Sequence, residues 1–346
     1  MIKTTYYQDL TKMNTFGMKV KARCFMEYDS VADLVDIEFE ELARPVLHIG
    51  AGSNLLFTDD FKGTILHSTI NFIEILEEAS DVLVSVGAGV VFDDLCAWAA
   101  KEGLWGVENL SYIPGEVGAS AVQNIGAYGV EVKDVIRKVY CYDTVEEEFV
   151  NFDVEDCEYG YRDSFFKDPE VKGRYIVTHV VFALSRTPQP KLDYGHLKDA
   201  VMTAAGDAPL TPAMIRKVII KVRKEKLPEP SVKGSAGSFF KNPVIDVEHF
   251  ARIEAAAKAE FGADYKVPHY DLPDGTVKVP AAWMIEQCGR KGKRSGGAAV
   301  WDKQPLVIVN HTGEAYPEEI VGLEKRIIAS VKTKFNVELH PEVEHI

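Results

Sequence analysis

DVLVSVGAGVVFDDLCAWAAKEG, residues 81–103, holds the choice of fold. Val82, Val84 and Val86 alternate with their neighbours, the period of a half-buried strand. The stretch VFDDLCAWAAKEG predicts a helix stopped by Gly103. Between strand and helix lies Gly87-Ala88-Gly89, where the Rossmann fingerprint would place its phosphate turn. The third small residue of that fingerprint lets helix and strand pack closely, and Phe92 stands in its place. A second pair, in Gly50-Ala51-Gly52-Ser53-Asn54-Leu55-Leu56-Phe57, follows a strand but runs on into an apolar extended stretch. It too lacks the third glycine. Neither turn carries a Rossmann fold by motif.

Working outward, strand-like runs come in clusters: RPVLHIGAG (44–52), GTILHS (63–68) and NFIEIL (71–76), then IRKVYCYD (136–143), EEEFVNF (146–152) and RYIVTHVVFAL (174–184). Thr211 and Pro212 read as N-cap and first residue of a helix, PAMIRKVIIKVRKEK, with Met214, Ile215, Val218 and Val222 on one face. LPEPSVKGSAGS (227–238) reads as a linker into a region with helices near 248–262 and 280–288, a strand at PLVIVN (305–310) and a helix over 317–334. Strands in clusters, without regular alternation with helices, predict an α+β class.

Length and composition set the outer bounds. A chain of 346 residues suggests two or three domains. With 46% hydrophobic and 27% charged residues it can build a sizeable core, which excludes a disordered or fibrous chain. A net charge of −14 opposes nucleic acid as a partner, because duplex binding wants a positive face. An anionic small ligand stays open if basic residues converge. The five cysteines form no C-x-x-C pair and suggest neither a disulfide framework nor zinc. No apolar run approaches membrane-spanning length and the N-terminus lacks a signal-like core, so a soluble cytoplasmic protein is expected.

Several stretches carry two readings each. GSAGSFFKNP (234–243) is a Gly/Ser turn whose phenylalanines fill a core, or a serine hydroxyl held on a strained turn and used as an acid. The Gly50 turn is a tight link between strands, or a nest of N–H groups for diphosphate oxygens, with Ser53 and Asn54 as added donors. Residues 111–131, SYIPGEVGASAVQNIGAYGVE, bring backbone close to a flat ligand or simply pack closely. Arg162, among the aromatics of YGYRDS, pairs with a carboxylate or ring, or makes a surface salt bridge to Asp163. Lys226 and the cluster GRKGKRSGG (289–297) are solvated charges or phosphate contacts. HPEVEH (340–345) offers no third metal ligand at suitable spacing, so no metal is expected.

Seven stretches together, NTFGMKVKA (14–22), IGAGSNLLF (49–57), IPGEVGASAVQNIGAYG (113–129), YRDSFFK (161–167), GSAGSFFKNP (234–243), GGAAV (296–300) and HPEV (340–343), resemble the UDP-N-acetylenolpyruvoylglucosamine reductase family in content and order. These are flavoenzymes of bacterial cell-wall precursor synthesis. The resemblance implies an FAD-binding fold of the vanillyl-alcohol-oxidase type, which accounts for the failed fingerprint. It implies a first FAD-binding subdomain over 1–70 joined by 336–346, and a second over 71–222 with an insertion near 186–210. A substrate-binding domain over 223–335 completes the set. The insertion around Leu192-Asp193-Tyr194-Gly195 looks like that of the family's longer type, whose tyrosine swings onto the bound nucleotide substrate.

Carried over by motif, Ser238 is the proton donor, with Arg162 and Glu342 as catalytic companions. Tyr194, Lys226, Asn242, Lys291 and Gln304 match substrate-contacting positions. Gly50, Ala51, Gly52, Ser53, Asn54 and Leu55 match flavin-contacting positions. So do Ile113, Pro114 and Gly115, and Gln123, Asn124, Ile125, Gly126, Ala127 and Tyr128, with Arg223 an addition. The implied reaction reduces the enolpyruvyl group of UDP-N-acetylglucosamine enolpyruvate. NADPH reduces non-covalent FAD, hydride passes from flavin N5 to C3, and Ser238 protonates C2. The expected partners are that substrate and NADPH, with no nucleic acid or membrane, for a monomer. One departure stands out: after HPEV the family commonly has arginine, and this chain has Glu344. An oxidase on the same FAD scaffold, or a non-catalytic UDP-sugar-binding relic, are the rival readings.

Overall fold

Hydrogen bonding settles the 81–103 question. In the computed structural model, which describes all 346 residues, the strand Val82–Gly87 lies in a five-stranded sheet whose neighbouring strands all run antiparallel. The order is Glu148–Asp153, Ile136–Asp143, Tyr175–Leu184, Val82–Gly87, Ile73–Glu78. A Rossmann sheet is mostly parallel. The Gly87-Ala88-Gly89 turn has spent its donors: the N–H groups of 87, 88 and 89 bond Phe72 O (3.0 Å), Thr178 O (2.9 Å) and Ile70 O (2.9 Å). A Cβ on Gly89 would sit 2.5 Å from Ser68 O, and one on Gly87 2.4 Å from Ile70 O. These glycines let two backbones touch; they hold no phosphate.

The chain divides into two compact units. The first comprises Met1–Leu10, Val20–Gly52 and Asp60–Glu225; the second comprises Thr11–Lys19, Ser53–Asp59 and Lys226–Ile346. The first holds helices α1 (Val31–Val35), α2 (Phe92–Lys101), α3 (Val117–Gln123), α4 (Leu197–Ala205) and all but the last residue of α5 (Pro212–Lys226). The second holds α6 (Val247–Phe261), α7 (Ala281–Gln287) and α8 (Pro317–Phe335). No helix is long and apolar enough to cross a membrane.

Besides the five-stranded sheet, the first unit has a four-stranded one, ordered Lys3–Asp9, Lys21–Tyr28, Phe61–Ser68, Val46–Ile49, with its last two pairings parallel. The expectation that Val82–Gly87 is half-buried fails, because only Leu83 is partly exposed. One face is covered by the core of Phe92, Leu95, Val117 and Ala121. The α3 segment escapes the helical pattern because it packs through small residues. A Cβ on Gly118 would meet Ala88 at 2.9 Å, and Gly50 lies 3.1 Å from Ala119 on the same terms. α5 begins as its sequence says, the Thr211 hydroxyl accepting the Met214 N–H at 3.2 Å, and it buries Ile215, Val218 and Ile219 against Leu197 and Val201 of α4.

In the second unit α8 shows Ile320, Leu323, Ile327 and Val331 buried at helical spacing, the stripe that drives such a helix onto a core. A three-stranded antiparallel sheet, Arg294–Ser295, Ala298–Val300 and Ile308–Asn310, lies beside it in sequence. The apolar stretch after Gly52 forms the strand Leu55–Leu56, which pairs in parallel with Glu344–His345. Four cysteines are buried, and Cys288 is partly so.

Gly89→Ala should therefore destabilise the apoprotein by about 1–3 kcal/mol, the usual cost of forcing a methyl into a full site. Thermal unfolding without flavin checks it; an unchanged midpoint would refute the packing role.

Candidate active site

Arg162 is held in the left-handed region, φ 56°, at the tip of a turn closed by mutual backbone bonds of Gly160 and Asp163. Its guanidinium does not pair with Asp163, the surface partner weighed from sequence. Nη2 donates to Gly126 O at 2.6 Å and Nη1 to Asn124 O at 3.2 Å, with the Glu131 carboxylate 3.4 Å away. The Tyr161 ring lies 5.3 Å from the guanidinium carbon. Gly126 is glycine for a reason: a Cβ there would stand 2.7 Å from Nη1. Two carbonyls and one carboxylate thus fix a cation in place, with 16% of the side chain exposed.

The same loop supplies Gln123 to Tyr128. Asn124 ends α3 in the left-handed conformation, φ 48°, its Nδ2 donating to Gly160 O at 2.8 Å. Lys167 Nζ donates both to Gln123 Oε1 (2.9 Å) and to Arg162 O (3.0 Å). That leaves Gln123 Nε2 buried and without a protein acceptor, an arrangement that fits a ligand carbonyl or ring nitrogen there. Tyr128 is left-handed as well, φ 50°, and so is Tyr112, φ 62°, which leads into Ile113-Pro114-Gly115. Arg223 Nε donates to Tyr112 O at 3.1 Å, and Asp93 accepts the Tyr112 N–H while pairing with Arg216. Burial pulls the Arg223 guanidinium below its usual pKa, while Tyr128 and Asp93 oppose that shift. Non-glycine residues in this region carry strain, and such strain gathers where a ligand is gripped. The orphaned amide and the strained backbone fit FAD.

Tyr194 is half exposed and meets the Tyr128 ring edge-on, centroids 6.0 Å apart at 85°. Asn109 ties the segment that carries Tyr194 to the 123–128 loop, Nδ2 donating to Tyr128 O (3.0 Å) and Lys191 O (2.7 Å).

The second unit assembles the other group. Ser238 bridges Val307 and follows Gly237, φ 71°. The next residue, Phe239, receives the Glu342 N–H on its carbonyl at 2.8 Å, and Lys241 N–H donates to His340 O at 2.9 Å. These bonds and the isolated bridge of Phe240 to Pro341 bring the segments of residues 238 and 342, over a hundred positions apart in sequence, side by side. Phe239 and Phe240 are fully buried, with Phe239 edge-on to Phe16 at 6.2 Å. The aromatic pair is therefore core, as the plainer reading had it, and anchors the segment that presents Ser238. Asn54 Nδ2 donates to Glu342 O at 3.1 Å, and Glu344 N–H to Asn54 O at 2.9 Å, so Ser53, Asn54 and Leu55 belong to the same group.

Asn242 Oδ1 accepts the Ala281 N–H at 2.9 Å and caps α7. Gln304 opens the turn whose Leu306 and Val307 pair with Phe239 and Ser238. Lys226, at the exposed end of α5, lends its carbonyl to Trp301 Nε1 at 3.0 Å. Lys291 pairs on the surface with Glu286 at 2.7 Å, both near half exposed, and no contact joins it to Ser238.

A family model described as the UDP-N-acetylenolpyruvoylglucosamine reductase C-terminal domain matches residues 229–346, and one described as an FAD binding domain matches 23–149. Reductases of that name from Bacteroides fragilis (49% identical over 97% of this chain and 98% of theirs) and Chromobacterium violaceum (44%, 96% of each) align end to end. The chain belongs to the UDP-N-acetylenolpyruvoylglucosamine reductase family. Like its members it is an FAD-dependent oxidoreductase, with an α+β fold that carries an FAD binding domain and the family's C-terminal domain. The crystal structure of the Thermus caldophilus reductase covers all of this chain and 98% of its own at a TM-score of 0.67 and 22% identity, a likeness of fold.

Within this family framework, sequence reasoning passed over Glu131, Lys167 and Asn109. Lys167 ends the quoted motif YRDSFFK yet drew no role, and no periodicity marks any of the three. If Arg162 has the role that the resemblance implies, Gly126→Ala, whose methyl would displace the guanidinium, should leave the protein folded but lower reductase turnover by about a hundredfold, the scale of a misplaced group at a reacting centre. Steady-state kinetics beside circular dichroism checks this.

Proposed function

We propose that the protein uses NADPH to reduce UDP-N-acetylglucosamine enolpyruvate to UDP-N-acetylmuramate, a step of peptidoglycan precursor synthesis. The observation that carries this is the bond of the Glu342 N–H to Phe239 O, next to Ser238, in a chain that also clamps Arg162 and aligns end to end with reductases of the family. In this reading the two sheets of the first unit are the two FAD-binding subdomains, and residues 223–335 form the substrate domain. Both NADPH and a nucleotide-sugar substrate point to a cytoplasmic setting.

Gly50 to Leu55 would receive the FAD diphosphate, while Ile113–Gly115, Gln123–Tyr128 and Arg223 would receive the rest. When bound, FAD would supply a two-electron carrier between NADPH and the vinyl carbon C3 of the substrate. Hydride arrival at C3 drives negative charge into the substrate carboxylate. Arg162 stabilises that charge; its carbonyl partners pre-orient the guanidinium, so nothing need reorganise as charge develops. Glu342 would face the same carboxylate, which it can approach only by donating a hydrogen bond from its acid form, since an ionised acid would repel it. Ser238 Oγ then delivers its proton to C2. An alcohol is a weak acid, but the carbanionic centre is a strong base, so proximity decides. Tyr194, Lys226 and Lys291 meet the substrate diphosphate, with Asn242 and Gln304 as polar contacts.

Ser238→Ala should still let NADPH bleach the flavin while turnover with substrate falls by about two to four orders of magnitude. Anaerobic stopped-flow of the two half-reactions separates these; loss of flavin reduction with substrate reduction intact would overturn the role. Lys226→Ala should weaken substrate binding about tenfold, the worth of a charge-assisted contact, as read by titration of the oxidised enzyme.

A further inference from the structure

Beneath the Gly50 turn lies a buried carboxylate that the reaction does not use. Glu116 precedes α3, and its Oε2 stands 3.1 Å from where a Cβ on Gly50 would be. Its Oε1 is 3.0 Å from His67 Nε2, with 11% of the Glu116 and 10% of the His67 side chain exposed. His67 Nδ1 is 3.6 Å from Glu27 Oε1, and Glu27 is bonded in turn by Lys3 Nζ at 3.0 Å. The result is a row of alternating sign, Lys3, Glu27, His67, Glu116, running from solvent to the underside of a glycine turn.

A nest for diphosphate needs positive potential, and a bare carboxylate facing its first glycine would repel the ligand. We propose that His67 is a positioning residue for the cofactor: its imidazolium neutralises Glu116 and keeps the Gly50–Gly52 turn receptive to the flavin diphosphate. The inference rests on the placement of FAD given above. The other groups around His67 do not supply this charge. Phe25 packs its ring 6.1 Å away, and His48, bonded to the Tyr28 hydroxyl at 2.7 Å, is driven to a pKa of about 3 by burial and by the His67 charge. Burial opposes the charge on His67, but the hydrogen bond and charge of Glu116, then Glu27, outweigh it and raise its pKa. A raised pKa means the imidazolium is complete below the ordinary histidine range and is lost as pH rises through the folded value.

FAD titration of the apoprotein by flavin fluorescence at pH 6 and pH 9 tests this. His67→Gln should bind FAD at least about tenfold more weakly at pH 6, the effect of one unbalanced charge. The double variant with Glu116→Gln should return to within about threefold of the native protein. The native protein should lose affinity between pH 6 and pH 9, and Glu116→Gln alone should not. A double variant as weak as His67→Gln, or the same pH slope with and without Glu116, overturns the proposal. If His67→Gln does not fold, the pH comparison of native protein and Glu116→Gln decides alone. A native chain that takes up no FAD at either pH would instead sink the placement of the cofactor.

Discussion

The second unit depends on a ladder made by the last seven residues of the chain. His340 and Glu342 bond across to Lys241 and Phe239, and Glu344 and His345 pair with Leu55 and Leu56. Backbone hydrogen bonds of this kind are individually modest, about 0.5–1.5 kcal/mol net. Their weight here is geometric. One terminal segment holds the serine-bearing segment on one side and the stretch Asn54–Leu56 on the other. The carboxylate of Glu342 lies on the residue that joins them.

The first unit solves a different problem, which is to hold unfavourable backbone at Tyr112, Asn124, Tyr128 and Arg162. Each left-handed non-glycine residue costs of order 1–3 kcal/mol unless its surroundings enforce it. The enforcement is visible. Asn124 is tied by its side chain to Gly160 O, Arg162 by its guanidinium to Gly126 O and Asn124 O, and Tyr112 by Asp93 and Arg223. The two loops therefore fix each other, and the cation inherits its orientation from the same bonds that stabilise the strain.

Glu344, where the sequence departs from the pattern the resemblance implies, joins the ladder through its backbone. The Glu344 N–H bonds Asn54 O, a contact that any residue makes, while the neighbouring His345 meets the largely buried Glu324 at 2.9 Å. The ladder is a main-chain structure, so it survives an altered side chain.

Much of this architecture was written locally. The helices over 212–226, 247–261 and 317–335, the strands from 46 to 87 and from 136 to 184, and the failure of Gly87-Ala88-Gly89 as a phosphate turn follow from apolar period, capping residues and the bulk of Phe92, all short-range properties. The strands Lys3–Asp9 and Lys21–Tyr28 went unread. The ordered motifs likewise carried the family and the three candidate catalytic residues. Helix α3 stayed hidden because packing through Gly118 and Ala119 leaves no apolar stripe. Arg162 paired with Glu131 and two carbonyls instead of Asp163, and the row from Lys3 to Glu116 joins residues from four distant segments. Only tertiary structure decides such contacts, because they depend on which backbones are brought within hydrogen-bond reach. Local sequence fixes conformation, but distance across the fold is set by the pairing of whole sheets.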